Sequence, residues 1–230
     1  MKFVMVPGGW QGGWVFDPVA AELQRAGHRV EAVTLSGLES DGPVDLDRPP
    51  NLDTHIEQVA EIIDRCIVDD SDNSPLALCG HSYGGMVIAG VADRLGDQLD
   101  QLVFIDAYVP EDGDSCWSLT SDNFRETFIA GSRRDGRWVA VPEGLDPRAR
   151  AHPMASFVQS IRLTGPPGRT PERTYVSGGA WAGSPFLELT ERLRTDPGWR
   201  VHEIPVGHNI ARRAPQALAA VLGALPPGSA

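Results

Sequence analysis

The chain has 230 residues, with 31 acidic residues against 20 Lys and Arg, a formal net charge of -11 and 41% hydrophobic residues. That is enough to bury one sizeable core, and the acidic balance disfavours nucleic acid and anionic membranes as partners. Cys66, Cys79 and Cys116 lack the number and spacing of a disulfide scaffold or a zinc site, and no apolar run of ~20 residues could span a bilayer.

The elements alternate along the chain. Lys2 to Val6 reads as a strand that begins almost at the N-terminus, with no signal-peptide pattern before it, so a cytoplasmic protein is expected. It runs into the glycine-rich loop Pro7-Gly8-Gly9-Trp10-Gln11-Gly12-Gly13-Trp14. A helix with Asp17 as its N-cap follows, carrying Val19, Leu23 and Ala26, and then a strand from Arg29 to Leu35. A polar loop spans 36–52. Thr54 opens a helix whose apolar positions Ile56, Val59, Ile62, Ile63 and Ile67 recur at three- and four-residue spacing.

The strand Pro75 to Cys79 delivers Gly80-His81-Ser82-Tyr83-Gly84, after which a helix runs to about Gly96, and the strand Gln101 to Ile105 stops at Asp106. The segment 108–171 breaks the alternation. Beyond it come a strand Thr174 to Val176, a helix Pro185 to Leu193, a strand Trp199 to Ile204, the turn Gly207-His208-Asn209, a helix Ala214 to Leu225 and a frayed tail over 226–230. This order predicts an α/β fold: a mostly parallel sheet of about six strands with helices on both faces.

A G-x-S-x-G pentapeptide at a strand-to-helix turn is the pattern of a nucleophile elbow, in which the glycines permit a sharp bend that lifts the serine hydroxyl above the sheet. Ser82 is therefore the candidate nucleophile. The glycine-rich loop at the end of the first strand can aim a backbone N–H at a developing oxyanion. His208, between the last strand and the last helix, stands where a base would be. No Gly-Lys-Ser/Thr follows the first loop and its spacing is not G-x-G-x-x-G, which excludes a nucleotide-phosphate reading.

The segment 108–171 reads as a lid inserted between two parts of one core domain, 1–107 and 172–230. Its large apolar residues are Trp117, Phe124, Phe128, Trp138, Met154 and Phe157, with an apolar piece at Trp138 to Val141 and a helix expected from Met154 to Leu163. Most of these residues would pack the lid's own core. Trp117, Phe128, Trp138 and Phe157, with Trp10 and Trp181, are the candidates for substrate contact. Arg133, Arg134, Arg137, Arg148 and Arg150 read as a solvated basic face, with an anionic substrate as the competing account.

The first loop, the elbow, the stretch Val103-Phe104-Ile105-Asp106-Ala107-Tyr108-Val109-Pro110 and the Gly207-His208 ending together resemble the hydroxynitrile lyase and plant methyl esterase branch of the α/β-hydrolase superfamily and its bacterial relatives. The resemblance implies an α/β-hydrolase fold, Ser82 as nucleophile, His208 as base, and the backbone N–H groups of Gly9 and Tyr83 as the oxyanion hole. There are two departures. Pro7 stands where the family usually has His. The loop after Val176, where the family's acid normally lies, holds no carboxylate.

Asp106, at the end of the strand beside the elbow strand, is the candidate replacement; the competing role is a cap on the lid entrance through backbone N–H groups. Glu111, Asp112 and Asp114 read as solvated loop acids. His28, His55, His152 and His202 read as structural or surface residues, and His81 as packing. The expected function is hydrolysis of a small, apolar or aromatic carboxylic ester or related acyl bond through an acyl-enzyme, with no metal or organic cofactor. A small-molecule substrate is the expected partner, and a homodimer is compatible with the chain. The alternatives are cofactor-free lyase, retro-aldol, cyclisation or decarboxylation chemistry in the same pocket, and a ligand receptor using a degenerate pocket.

Overall fold

A strand covered by helices on both sides must be apolar at every position, and the central strands meet that demand by sending alternate side chains into two cores. The computed structural model describes residues 1–40, 48–68, 74–165, 168–181 and 183–227. Its strands are β1 (Lys2–Val6), β2 (Arg29–Ala32), β3 (Leu76–His81), β4 (Gln101–Ile105), β5 (Trp138–Val139), β6 (His152–Pro153), β7 (Glu172–Gly178) and β8 (Trp199–Ile204). The helices are α1 (Asp17–Arg25), α2 (Leu52–Val68), α3 (Gly84–Leu95), α4 (Cys116–Leu119), α5 (Asp122–Ser132), α6 (Met154–Val158), α7 (Leu187–Thr195), α8 (Ile210–Arg213) and α9 (Pro215–Gly223).

Six strands form one sheet in the order β2-β1-β3-β4-β7-β8, and every neighbouring pair is parallel. Phe3 and Met5 of β1, Cys79 of β3 and Val103 of β4 pack with Val19 and Leu23 of α1 and Leu218 and Leu222 of α9. Val4, Leu78 and Phe104, one residue out of phase with these, pack on the opposite face with Ile56, Val59 and Ile63 of α2 and Met86, Val87 and Val91 of α3.

Parallel pairing puts all the strands' carboxyl ends at one edge. The strand order reverses between β1 and β3, and a crevice for a ligand opens outside the carboxyl ends at such a switch point. The loop after β1 and the elbow after β3 meet there.

Element boundaries differ from the sequence expectation for local reasons. β2 ends at Ala32 rather than Leu35. Asp17 lies inside the first turn of α1 and makes no side-chain cap. α2 starts before Thr54 because Asn51 Oδ1 accepts the Thr54 N–H at 2.9 Å, the N-cap bond. The helix expected over Ala214 to Leu225 is α9, and the short α8, which was not expected, precedes it; Pro215, which lacks an N–H, disfavours a helical conformation at Ala214, whose φ is -144°, and so separates the two. The expected loop residues 41–47 and tail residues 228–230 lie outside the described residues.

The segment between β4 and β7 carries α4, α5, α6 and the short antiparallel pair β5 and β6, in which Val139 sits opposite His152. The helix expected to reach Leu163 stops at Val158. Beyond it the Ile161 N–H donates to Asp114 O at 2.7 Å and the Leu163 N–H to Asp112 Oδ1 at 2.9 Å, so these amides are taken from any helical ladder. Phe128, Val139, Phe157 and Ile161 are buried and join the α2 and α3 core instead of forming a separate one.

Leu78 is fully buried in the central strand, whereas Val68 is 83% exposed at the end of α2. Leu78→Ala is expected to lower unfolding free energy by about 2–5 kcal/mol, and Val68→Ala by less than about 0.5 kcal/mol, both read from urea denaturation midpoints.

Candidate active site

Among the described residues, three that are not glycine have positive φ: Trp10 at 64°, Ser82 at 54° and Asp106 at 44°. Each follows the carboxyl end of a central strand. Left-handed backbone costs a side-chain-bearing residue ~1–2 kcal/mol and persists only where its surroundings fix it.

Ser82 is fixed by the strands around it. Its N–H donates to Ile105 O at 3.3 Å, and its carbonyl accepts from Gly85 N at 3.0 Å and Tyr108 N at 3.2 Å. The bend works because a Cβ on Gly84 would stand 2.5 Å from Val6 O, so only glycine lets β1 lie against the start of α3. A Cβ on Gly8 would come within 2.9 Å of Ser82 Cβ, which shows how closely the first loop lies on the serine.

The Asp106 carboxylate is 1% exposed, and both its oxygens are engaged. Oδ2 lies 2.7 Å from His208 Nδ1, and Oδ1 accepts the Gly178 N–H at 3.0 Å. The loop after Val176, which offers no carboxylate, thus contributes a backbone donor that holds a carboxylate from the neighbouring strand. His208 follows β8. Its carbonyl accepts from His81 Nε2 at 3.0 Å, and its ring lies between His81, with centroids 4.6 Å apart, and Trp181 at 4.5 Å. With Nδ1 on the carboxylate, Nε2 is the nitrogen available to a reacting group.

Ser82 and His208 line one small cavity with Gly9, Trp10 and Tyr83. Among the described residues, the backbone N–H groups of Gly9 and Tyr83 donate to no protein acceptor, so both are available to an oxygen beside Ser82. The cavity measures about 20 Å³, close to the room needed for one water. Larger grooves, such as one of about 300 Å³ beside β1, β2 and α2, lie away from any serine and histidine pair.

Of the six side chains expected to contact substrate, Trp10, Phe128, Phe157 and Trp181 line this cavity. Trp117 and Trp138 do not. Trp117 sits behind Phe128, with ring centroids 6.4 Å apart, and Trp138 covers the backbone at Gly37. Tyr108, Cys116, Phe124, Pro185 and Phe186 complete the lining, and none of them is among the substrate contacts the sequence predicts. Burial pushes the Cys116 thiol up to about 12 and raises the Tyr108 phenol, so both stay neutral.

No arginine reaches the cavity. Arg137 pairs with Asp135 and Arg148 with Asp146, each at 3.0 Å, and Arg133 and Arg134 are exposed. The basic-face reading fits this placement, and the anionic-substrate account finds no support in it. Among the described residues no cluster of three or more His, Cys, Asp or Glu side chains could hold a metal ion. No described helix is long and apolar enough to cross a membrane.

Three histidines are buried behind the cavity. Desolvation lowers His55 to about 4 and His81 to about 3, and holds His152 well below the ordinary histidine value. His55 Nδ1 lies 2.8 Å from the Tyr83 hydroxyl, and Nε2 lies 3.0 Å from Ser36 O. His152 Nδ1 accepts the Trp10 N–H at 3.1 Å. Neither contact has a signature in the sequence around His55 or His152.

The alpha/beta hydrolase family model matches residues 3–221, and the chain belongs to that family. The carbendazim hydrolyzing esterase of Nocardioides sp. (strain SG-4G) is 34% identical over 245 residues, covering 97% of this chain and 99% of the relative. Methylesterase 2 of Arabidopsis thaliana is 28% identical over 137 residues, 60% of this chain and 48% of the relative. Among solved structures, an extracellular α/β-hydrolase from a Paenibacillus species, described as sharing structural and functional homology with tobacco salicylic acid binding protein 2, gives a TM-score of 0.77. It is 19% identical, with 100% of both chains covered, and shows likeness of fold. The chain is a carboxylesterase-like hydrolase of the serine type.

The buried imidazoles make stability depend on pH. The unfolded chain takes up protons on them near pH 6.5, the folded protein only at lower pH, so their contribution is complete above about pH 6.5 and is lost as pH falls toward 4. The unfolding free energy from urea denaturation should fall over that window with a slope of roughly 1.4 kcal/mol per pH unit for each ring. Equal midpoints at pH 7 and pH 4.5 would contradict the buried neutral state.

Proposed function

We propose that Ser82, His208 and Asp106 form a catalytic triad that hydrolyses a small, neutral, apolar or aromatic ester through an acyl-enzyme. The observation that carries this reading is the 2.7 Å contact between Asp106 Oδ2 and His208 Nδ1, made behind a cavity that His208 shares with Ser82 on its strained turn.

In this mechanism Ser82 Oγ attacks the ester carbonyl and its proton passes to His208 Nε2. Asp106 fixes the ring's tautomer and stabilises the imidazolium. The carbonyl oxygen, now negative, accepts hydrogen bonds from the Gly9 and Tyr83 N–H groups. Collapse of the tetrahedral intermediate expels the alcohol, which takes the proton from His208. Water activated by His208 then attacks the acyl-enzyme, releasing the acid and restoring Ser82. The lyase-type alternative drew its weight from a missing triad acid, and the Asp106 contact with His208 removes that weight.

Residues 108–171 act in this account as a lid, supplying Phe124, Phe128 and Phe157 to the cavity wall. A cavity of about 20 Å³ admits an ester only after these rings, Trp181 or Phe186 move aside. Among the described residues the lining carries no lysine, arginine or carboxylate that could neutralise a charged substrate, and a bare charge in such a place is costly. The carbendazim-hydrolysing relative and the plant methylesterase support an ester-type bond as the target.

Three measurements test this. Intact-mass spectrometry after mixing with an activated aryl ester should show one acyl group on Ser82 and none on Ser82→Ala, while Asp106→Asn should lower kcat by a factor on the order of 10⁴ at neutral pH. A folded Asp106→Asn variant with near-normal turnover would exclude Asp106 as the triad acid. In a substrate panel that includes carbendazim and methyl esters of aromatic acids, neutral members should exceed analogues carrying an added carboxylate by at least about tenfold in kcat/KM. Preference for the charged analogues would overturn the neutral-substrate reading.

A further inference from the structure

We propose that His152 is a positioning residue for catalysis, the group by which the inserted segment holds the oxyanion loop in its working geometry. The proposal rests on the reading of Gly9 N–H as an oxyanion donor. That donor belongs to a loop whose own side supplies one backbone hydrogen bond across it, the Gln11 N–H on Gly8 O at 3.4 Å. Pro7 supplies no N–H, and Gly8 and Gly9 have no side chains to restrict their dihedral angles. Trp10, the next residue, nevertheless stays at φ 64°, which a bulky residue adopts only when its surroundings determine it.

Beyond that turn bond, the insert supplies three contacts. The Trp10 N–H donates to His152 Nδ1 at 3.1 Å, its carbonyl accepts the Arg150 N–H at 2.9 Å, and its indole Nε1–H donates to Val139 O at 3.1 Å. The peptide plane containing Trp10 N–H also contains the Gly9 carbonyl. Holding it anchors one side of the Gly9 φ and ψ rotations; with the other side held by the Gln11 N–H on Gly8 O at 3.4 Å, it restricts the swing of the Gly9 N–H away from Ser82. Among the described residues, the His152 contact is the one that holds this plane.

His152 is itself prepared for the task. Ser156 Oγ donates to Pro153 O at 2.8 Å, so it accepts from His152 Nε2, also at 2.8 Å. The proton therefore sits on Nε2 and a lone pair faces Trp10. The ring is fully buried and stacks on Phe157, with centroids 4.1 Å apart and planes at 13°, and Phe157 lies within 3.0 Å of where a Gly9 Cβ would stand. Desolvation keeps the imidazole neutral, the state in which Nδ1 accepts.

The test compares an activated 4-nitrophenyl ester with its thionoester, since sulfur is a poorer acceptor for oxyanion-hole donors. His152→Leu, with its fold checked by circular dichroism, should lose about 100-fold in kcat on the oxygen ester with KM within about threefold. Its preference for the oxygen ester over the thionoester should shrink toward one. His152→Asn, whose Oδ1 can accept from Trp10 N–H, should recover much of both. Should His152→Leu fail to fold, Ser156→Ala, which frees the tautomer, should lower the oxygen preference in smaller measure. A wild-type oxygen preference in a folded variant whose Ser82 is still acylated overturns the role of His152 and leaves the triad standing. Failure of the wild-type protein to acylate Ser82 would overturn the site assignment and this role with it.

Discussion

Backbone strain at the carboxyl edge of the sheet is the constraint on which the site depends. Trp10, Ser82 and Asp106 each hold a left-handed conformation, and each is held by groups from elsewhere in the chain. Neighbouring strands and the Tyr108 amide pin Ser82. Asp106 is pinned by its N–H on Val176 O at 2.7 Å and its carboxylate on Gly178 and His208. The insert pins Trp10. An ordinary strand end would turn these three residues away from one another, whereas the strained turns bring the serine, the carboxylate and a pair of free N–H groups to one crevice.

The proposed triad takes its carboxylate from the end of β4 and a backbone donor from the end of β7. β4 and β7 are neighbours in the sheet, and a carboxylate at the end of either can reach a histidine on the loop after β8. The backbone at Gly178 satisfies the second oxygen of Asp106, so the buried charge has two strong partners and its desolvation is offset. Burial of Asp106 and 28% exposure of the His208 side chain leave one end of the pair in protein and the other at the cavity.

Much of this was legible in the sequence because it depends on local pattern. The apolar runs of β1, β3 and β4, the glycines of the elbow, and an aspartate and a histidine placed just past strand ends are readable from neighbours a few residues away. The unread parts depend on distance. His152 meets Trp10 across 142 residues, and nothing around it marks it apart from His28 or His202. Trp117 and Trp138 were read as substrate contacts from size and segment alone, but which way a ring in an insert faces is decided by packing. Phe186 and Tyr108 reached the cavity from loop positions that carry no periodic signal. The helix expected over 154–163 was cut short by side chains and carbonyls of distant segments that took its amides.

The central claim is that Ser82, His208, Asp106 and the N–H groups of Gly9 and Tyr83 converge on one reacting centre. A crystal structure of the protein inactivated by an aryl phosphonate tests it most directly, because the adduct copies the tetrahedral intermediate. The account predicts phosphorus on Ser82 Oγ and one phosphonyl oxygen about 2.7–3.1 Å from both the Gly9 and Tyr83 nitrogens, with His208 Nδ1 still on Asp106. A phosphonyl oxygen turned toward solvent, or a His208 ring that has left Asp106 in the adduct, would contradict it.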